Sequence, residues 1–325
     1  MNVSFRRFRI QGLTPGVGLA ALICLAGCQR ELPPDVVREH AVHVAELQPQ
    51  PGTLALPNRR GSVKFAVIGD SGRGDQAQHE VARQMVSWRG RFEYDFVLML
   101  GDNVYDSHTP EDYVARFEAP YKPLLDAGVT FHAAIGNHDD PNQIYYDKFN
   151  MGGQRYFSFR RSEISLDGIT GGGVRFFALD TRSLDPAQLE WLRRGLDDSN
   201  SRWKIVYGHH PLYTSGRYSS GARSLRESLE PVLVAGNADV VLAGHEHFYE
   251  RLAPQRGILY FISGAAGSLR QGDIRDTGLT ARGFDTDYSF MLMEVAGDEF
   301  YFQAVSRTGD TVDAGVVTKG RDPQP

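Results

Sequence analysis

Cysteine is almost missing from this chain: its 325 residues include two, Cys24 and Cys28, both near the start. Whatever folds beyond them is held without disulfides. A cationic excess is missing too. With 35 basic and 40 acidic side chains the formal net charge is −5, which offers no broad basic surface for phosphate backbones and excludes nucleic acid as a stable partner. The apolar run Val17 to Gly27 is only eleven residues long, whereas a helix crossing a bilayer needs about 20, so a permanent transmembrane anchor is disfavoured. What remains is a globular mixture, 41% apolar and 23% charged, with enough hydrophobic mass for two domains or one large α/β domain.

Arg6, Arg7 and Arg9, with no acid among them, precede that apolar run, which is the charge and length of a secretory signal. The run ends Leu25-Ala26-Gly27-Cys28, and this resembles a bacterial lipoprotein processing box. Residues 1–27 are therefore expected to be removed, leaving a lipidated Cys28 that anchors the protein to the periplasmic side of a bacterial membrane. The uncharged Gln29 points to the outer membrane. The signal takes three arginines with it, leaving 32 basic against 40 acidic side chains. Residues 28–61, with Pro33, Pro34, Pro49, Pro51 and Pro57, read as a proline-rich tether with room for a short helix around Val36 to Leu47. A catalytic domain is expected over 62–310 and a loose tail over 311–325.

Within that domain the apolar runs share an ending. Phe65 to Ile68 stops at Gly69-Asp70, Phe96 to Leu100 at Gly101-Asp102, and Phe131 to Ile135 at Gly136-Asn137-His138. Phe176 to Leu179 stops at Asp180-Thr181, Ile205 to Tyr207 at Gly208-His209, and Val240 to Ala243 at Gly244-His245. Continuous rather than alternating hydrophobicity predicts strands buried on both faces of an α/β sheet. Helices are predicted between them over Asp75–Trp88, Glu111–Leu125, Pro186–Leu196 and Ala222–Val234. Gly257 to Ser263, Tyr288 to Val295 and Glu299 to Ser306 read as hairpin strands of a second sheet. Ligands in open α/β sheets gather outside the carboxyl ends of the strands, so these polar endings are expected to form one cluster.

Carboxylate, amide oxygen and imidazole together suit Fe, Mn or Zn, whereas calcium would want oxygens almost alone. Five of the ten histidines, His138, His209, His210, His245 and His247, lie at these endings, and Gly-His-Glu-His presents two alternate imidazoles. The series Asp70-x-Gly72, Gly101-Asp102-x-x-Tyr105, Gly136-Asn137-His138, Val206-x-x-His209 and Gly244-His245-x-His247 resembles the calcineurin-like metallophosphoesterases, and more narrowly their purple acid phosphatase branch. Most of that superfamily resembles Asp-x-His at the first motif. Here Ser71-Gly72 follows Asp70, and Tyr105 is the candidate to fill the vacancy with a phenolate, which favours a hard trivalent ion.

The resemblance implies a four-layer α/β/β/α sandwich of two mixed β-sheets with the metal site at the carboxyl ends of the strands. It implies Fe(III) on Asp70, Asp102, Tyr105 and His247, and a divalent Fe, Mn or Zn on Asp102, Asn137, His209 and His245, with Asp102 bridging. The reaction implied is hydrolysis of small phosphomonoesters, water attacking phosphorus in line and His138 protonating the leaving oxygen, with activity below neutral pH. His138 can alternatively orient a ligand; His210 is the better candidate for that support, and Asp139 for orienting either. Small animal-type members have a further histidine in the loop after Val-x-x-His, but Tyr213 to Arg223 has none and offers Arg217, Tyr218 and Arg223 as substrate contacts instead. Two other functions stay open: a phosphodiesterase for cyclic nucleotides, nucleotides or phospholipid head groups, and a non-catalytic envelope lipoprotein with a structural metal site.

Overall fold

The computed structural model describes residues 42–165, 168–169 and 172–320. The expected signal, Cys28, the tether up to residue 41 and residues 321–325 of the tail lie outside them.

In chain order, strands β1 (Val44–Glu46) and β2 (Val63–Ile68) lead to helix α1 (Gln76–Arg89), β3 (Phe96–Met99), helices α2 (Pro110–Tyr113) and α3 (Ala119–Asp126), and β4 (Thr130–Ala133). Next come β5 (Phe157–Arg161), a small hairpin of β6 (Ile164–Ser165) and β7 (Gly168–Ile169), β8 (Val174–Ala178), α4 (Pro186–Asp197), β9 (Trp203–Tyr207), α5 (Ser219–Ala235) and β10 (Val240–Ala243). The rest is strand: β11 (Tyr249–Leu252), β12 (Leu259–Ser263), β13 (Thr280–Phe284), β14 (Ser289–Ala296), β15 (Glu299–Ser306) and β16 (Thr311–Thr318).

The main strands form two seven-stranded mixed sheets. The first runs β1-β16-β15-β14-β2-β3-β4 and the second β13-β11-β12-β10-β9-β8-β5. Phe65 and Val67 of β2 face the second sheet with Phe96, Phe176, Ile205, Leu242 and Met291, while Ala66 and Ile68 face α1 and α3 with Val81, Met85 and Phe131. Likewise Val206 and Val241 of the second sheet meet Leu192 and Leu196 of α4 and Leu229 and Leu233 of α5. Each inner strand is covered on both sides, which is why its sequence does not alternate. The result is an α/β/β/α sandwich.

Helices α1 and α4 begin where capping chemistry puts them. Asp75 accepts from the Gln78 amide of α1 at 3.0 Å, and Asp185 accepts from the Gln188 amide of α4 at 2.8 Å, with Pro186 in the first turn. The helix expected over 111–125 has a π-helical turn at Val114–Glu118. Pro120 has no N–H for the Arg116 carbonyl four residues earlier, and the Gln78 side chain donates to that carbonyl instead at 2.6 Å.

Three expectations need correction. Residues 42–61 are not tether: β1 pairs antiparallel with β16, so Val36–Leu47 does not end in a helix. Leu56 is buried, and the Asn58 and Arg59 amides donate to the buried Glu294 carboxylate at 2.7 and 2.6 Å. The tail is not loose before residue 319, because β16 fills an antiparallel ladder with β15. Finally, the three late runs do not form a separate sheet. β14 and β15 extend the first sheet past β2, whereas β12 lies parallel to β10 in the second. Among the described residues no helix is long and apolar enough to cross a membrane.

Candidate metal centre

The parallel strands β2, β3 and β4 of one sheet and β9, β10 and β12 of the other carry their polar endings into one place. Asp70, Asp102 and His245 sit at φ of 53°, 52° and 69°, left-handed conformations that cost energy for residues with a Cβ. The turns hold them there. The Asp70 amide donates to the Gly101 carbonyl at 3.0 Å, and the His245 amide donates to Asp70 Oδ2 at 2.8 Å, tying one sheet's ending to the other's.

The sequence's missing histidine has a steric explanation. A Cβ on Gly72 would lie 2.1 Å from the Asn103 carbonyl oxygen, so the 102–105 turn occupies the space a side chain would need. The Tyr105 amide donates to the Gly72 carbonyl at 3.0 Å, which sets the phenol beside Asp70. Tyr105 Oη donates to Asp70 Oδ1 at 3.3 Å and lies 3.4 Å from His247 Nε2, which is itself 3.2 Å from Asp70 Oδ1. Asp102 joins them, its donor oxygen falling with those of Asp70 and His247 within 4.8 Å of one another.

A second nest adjoins it. His209 Nε2 lies 3.4 Å from Asp102 Oδ1, 2.9 Å from Asn137 Oδ1 and 3.2 Å from His245 Nδ1. His209 Nδ1 is 2.9 Å from the Leu100 carbonyl, which can only accept, so Nδ1 carries the proton and Nε2 turns a lone pair inward. Three acceptors, His209 Nε2, Asn137 Oδ1 and Asp102 Oδ1, thus face each other with no hydrogen between them. That is unfavourable for bare protein and natural around a cation. The residues therefore fit a pair of metal ions sharing Asp102. A Cβ on Gly136 would lie 2.1 Å from Asp102 Oδ1, so only glycine allows the β4 ending this near the Asp102 carboxylate.

Electrostatics agree with the geometry. Burial, with the like charge of Asp102 adding to it, leaves the Asp70 carboxyl above its ordinary range. Burial pulls His247 down to about 3 and His245 down to about 2, with the Arg270 charge adding to both. Both imidazoles are thus neutral and ready to ligate. Burial and the Asp70 and Asp102 carboxylates push the Tyr105 phenol up, so its phenolate needs added positive charge; the Arg73 guanidinium, 3.7 Å from the ring centroid, supplies some.

All seven expected ligands come together. His138 is exposed at the mouth, its ring centroid 4.9 Å from that of Tyr105 and its amide donating to Asp102 Oδ1 at 2.9 Å. Asp139 does not orient His138. It is buried and accepts from the Asn103, Val104 and Gly136 amides at 2.7, 3.1 and 2.7 Å, stapling the β3 and β4 endings together. His210 is anchored through Thr181 Oγ1 and stands with His209 and His245 in a second group of donor atoms within 4.8 Å. It also lines an open cleft of about 370 Å³ with Thr181, Arg182, Tyr218 and His245.

Of the loop candidates, Tyr218 is at the site, its ring 4.3 Å from His245, whereas Arg217 is committed to Asp273 at 2.8 Å and Arg223 is exposed on α5. Sequence reasoning missed Glu246 and Arg270. Arg270 follows β12, a strand read as part of a separate sheet; placed parallel to β10, its Gly-rich ending falls under the same strand-end rule as the others.

Residues 63–249 match the family model described as calcineurin-like phosphoesterase. The chain belongs to that family. Among curated relatives of this phosphoesterase, purple acid phosphatase 17 of Arabidopsis thaliana is 28% identical over 246 residues, covering 66% of this chain and 71% of that protein. Tartrate-resistant acid phosphatase type 5 of Oryctolagus cuniculus is also 28% identical, over 66% of this chain and 76% of its own length. Two solved structures share the fold. The Plasmodium protein GAP50, described as the anchor in the inner membrane complex, has a TM-score of 0.72 at 16% identity, covering 81% of this chain and 91% of its own. The yellow lupin purple acid phosphatase PPD1 has 0.61 at 18%, over 81% and 55%. This phosphoesterase is a phosphoric ester hydrolase, and its purple acid phosphatase relatives imply a binuclear metal centre.

Proposed function

We propose that the protein is an acid phosphatase acting on small phosphomonoesters with a ferric ion and a divalent Fe, Mn or Zn. The supporting observation is the exchange at the first motif: Gly72 admits the 102–105 turn, and Tyr105 Oη stands 3.3 Å from Asp70 and 3.4 Å from His247. Asp70, Asp102, Tyr105 and His247 hold the first ion, and Asp102, Asn137, His209 and His245 the second. When bound, the pair supplies Lewis acidity toward the phosphoryl oxygens and activates water.

The chain's own residues do the rest. Asp102 neutralises charge on both sides, Asn137 contributes a neutral carbonyl, and Leu100 keeps the His209 lone pair facing inward. His138, exposed beside Tyr105, gives its proton to the leaving alkoxide oxygen, a role worth roughly 10²–10⁴-fold. The signal and the Cys28 box support an exported, lipid-anchored protein on the periplasmic side of a bacterial outer membrane.

Two measurements test this. The visible spectrum of protein purified aerobically, with elemental analysis, is expected to show a phenolate-to-Fe(III) charge-transfer band that disappears in Tyr105→Phe. Initial rates are expected to favour p-nitrophenyl phosphate over its bis ester and cyclic AMP, with an optimum below pH 7. A colourless iron-loaded protein, or faster turnover of the diesters, refutes the assignment.

A further inference from the structure

The loop after β12 brings an arginine to the metal ligands. Arg270 Nη2 lies 3.2 Å from His247 Nε2, and Nη1 donates to Glu246 Oε2 at 3.3 Å and to the His245 carbonyl at 3.4 Å. Its guanidinium carbon is 5.1 Å from the Tyr218 ring centroid, and its own amide donates to the His247 carbonyl at 3.0 Å. The side chain is 18% exposed, so it is partly open to solvent.

Glu246 holds this arrangement. It lies between His245 and His247 in sequence, is fully buried, and accepts from the Tyr218 amide at 2.9 Å and Thr214 Oγ1 at 3.3 Å as well as from Arg270. A buried carboxylate is tolerated only with such partners. One face of the guanidinium is thereby fixed and the other is aimed at the ligand set.

A guanidinium only donates, and the single lone pair on His247 Nε2 cannot serve both Nη2 and a cation. Once that lone pair is engaged, Nη2 is left facing positive charge at close range. An anion between them relieves that repulsion. A phosphate oxygen has the charge and the geometry to fill that position, because guanidinium pairs with phosphate through parallel hydrogen bonds.

We propose that Arg270 binds a terminal phosphate oxygen of the substrate and makes the site prefer monoesters to diesters, with Glu246 as its positioning residue. The proposal rests on the phosphatase reading above. A monoester dianion offers one more terminal oxygen and one more negative charge than a diester, and the guanidinium gains from both. It also answers the histidine missing from the 213–223 loop: the phosphate contact comes from a different strand ending.

The test uses metal-loaded wild type, Arg270→Met, Arg270→Lys and Glu246→Gln, each checked for metal content and circular dichroism. Rates on p-nitrophenyl phosphate and bis(p-nitrophenyl) phosphate are compared, and inorganic phosphate is titrated by calorimetry. Arg270→Met is expected to lower kcat/KM about 30-fold on the monoester and about 3-fold or less on the diester, and to weaken phosphate binding about 10-fold. Lysine keeps a point charge without the fork and falls between. Glu246→Gln is expected to raise the monoester KM more than it lowers kcat. Equal losses on both esters with phosphate affinity intact overturn the proposal and leave Arg270 as a brace for Glu246. If Arg270→Met does not fold, the same comparison in Arg270→Lys decides. Wild type that hydrolyses neither ester overturns the phosphatase reading instead, and the phosphate titration still judges Arg270.

Discussion

The two sheets contribute different chemistry to one site. Endings of the first sheet supply only oxygen donors, Asp70, Asp102, Tyr105 and Asn137; endings of the second supply only imidazoles, His209, His245 and His247. Neither sheet holds a complete set for either ion, and each proposed ion takes donors from both. Metal binding and the packing of the two sheets are therefore linked, and a hard oxygen-rich position arises beside one with more nitrogen. The oxygen half brings the negative charge, and in the imidazole half burial keeps His245 and His247 neutral.

The hardest break in that comparison is at Asp102, the carboxylate proposed to serve both ions. Asp102→Asn is expected to lower kcat/KM by roughly 10³-fold or more and to drop the metal content below two per chain, read by steady-state kinetics with elemental analysis. Retention of both ions at full occupancy would deny Asp102 its bridging place. His138→Ala removes a group from the oxygen side that touches no proposed ion, so it is expected to cost about 10²-fold in kcat on an alkyl phosphate while leaving metal content alone. The deficit should shrink with p-nitrophenyl phosphate, whose leaving group needs no proton; an equal deficit on both argues for an orienting role.

Asp139→Ala sharpens the comparison by loosening only the oxygen half. Its carboxylate staples the 103–104 and 136 amides, and losing that support is expected to weaken metal affinity and activity about 10–100-fold, with His209 and His245 undisturbed by crystallography. The smallest effect concerns a histidine on the oxygen sheet that the site does not use. His132 of β4 is buried against Phe159 and Arg161, and burial, with the Arg161 charge adding, pulls it from 6.5 down to about 4. The unfolded imidazole takes its proton first, so stability is full above about pH 6.5 and is lost as pH falls toward 4, by at most about 3 kcal/mol. Thermal melts at pH 7 and pH 5 are expected to show a smaller difference in His132→Phe than in wild type.

How much of this could be read beforehand depended on the kind of signal. The ligands were legible because most follow an apolar run, and burial on both faces writes that pattern over Phe65–Ile68, β3, Ile205–Tyr207 and β10. The start of α4 was legible because a proline in the first helical turn is a local signal. The role of residues 42–61 was not. Prolines there describe local stiffness, whereas the pairing of Val44–Glu46 with β16 and the Glu294 contacts span more than 200 residues of sequence. Arg270 was hidden for the same reason, since the value of a strand ending depends on which strand lies beside it.

The donor types, their order along the chain and the exchange of a histidine for Tyr105 are properties of the sequence, because covalent order and side-chain chemistry do not depend on packing. Which donors stand within reach of one another, that Gly72 leaves room for the 102–105 turn, and that Arg270 lies between Glu246 and His247 were decided by tertiary structure alone. Those facts are distances between strand endings in two different sheets, and such distances exist only once both apolar faces have been buried against each other.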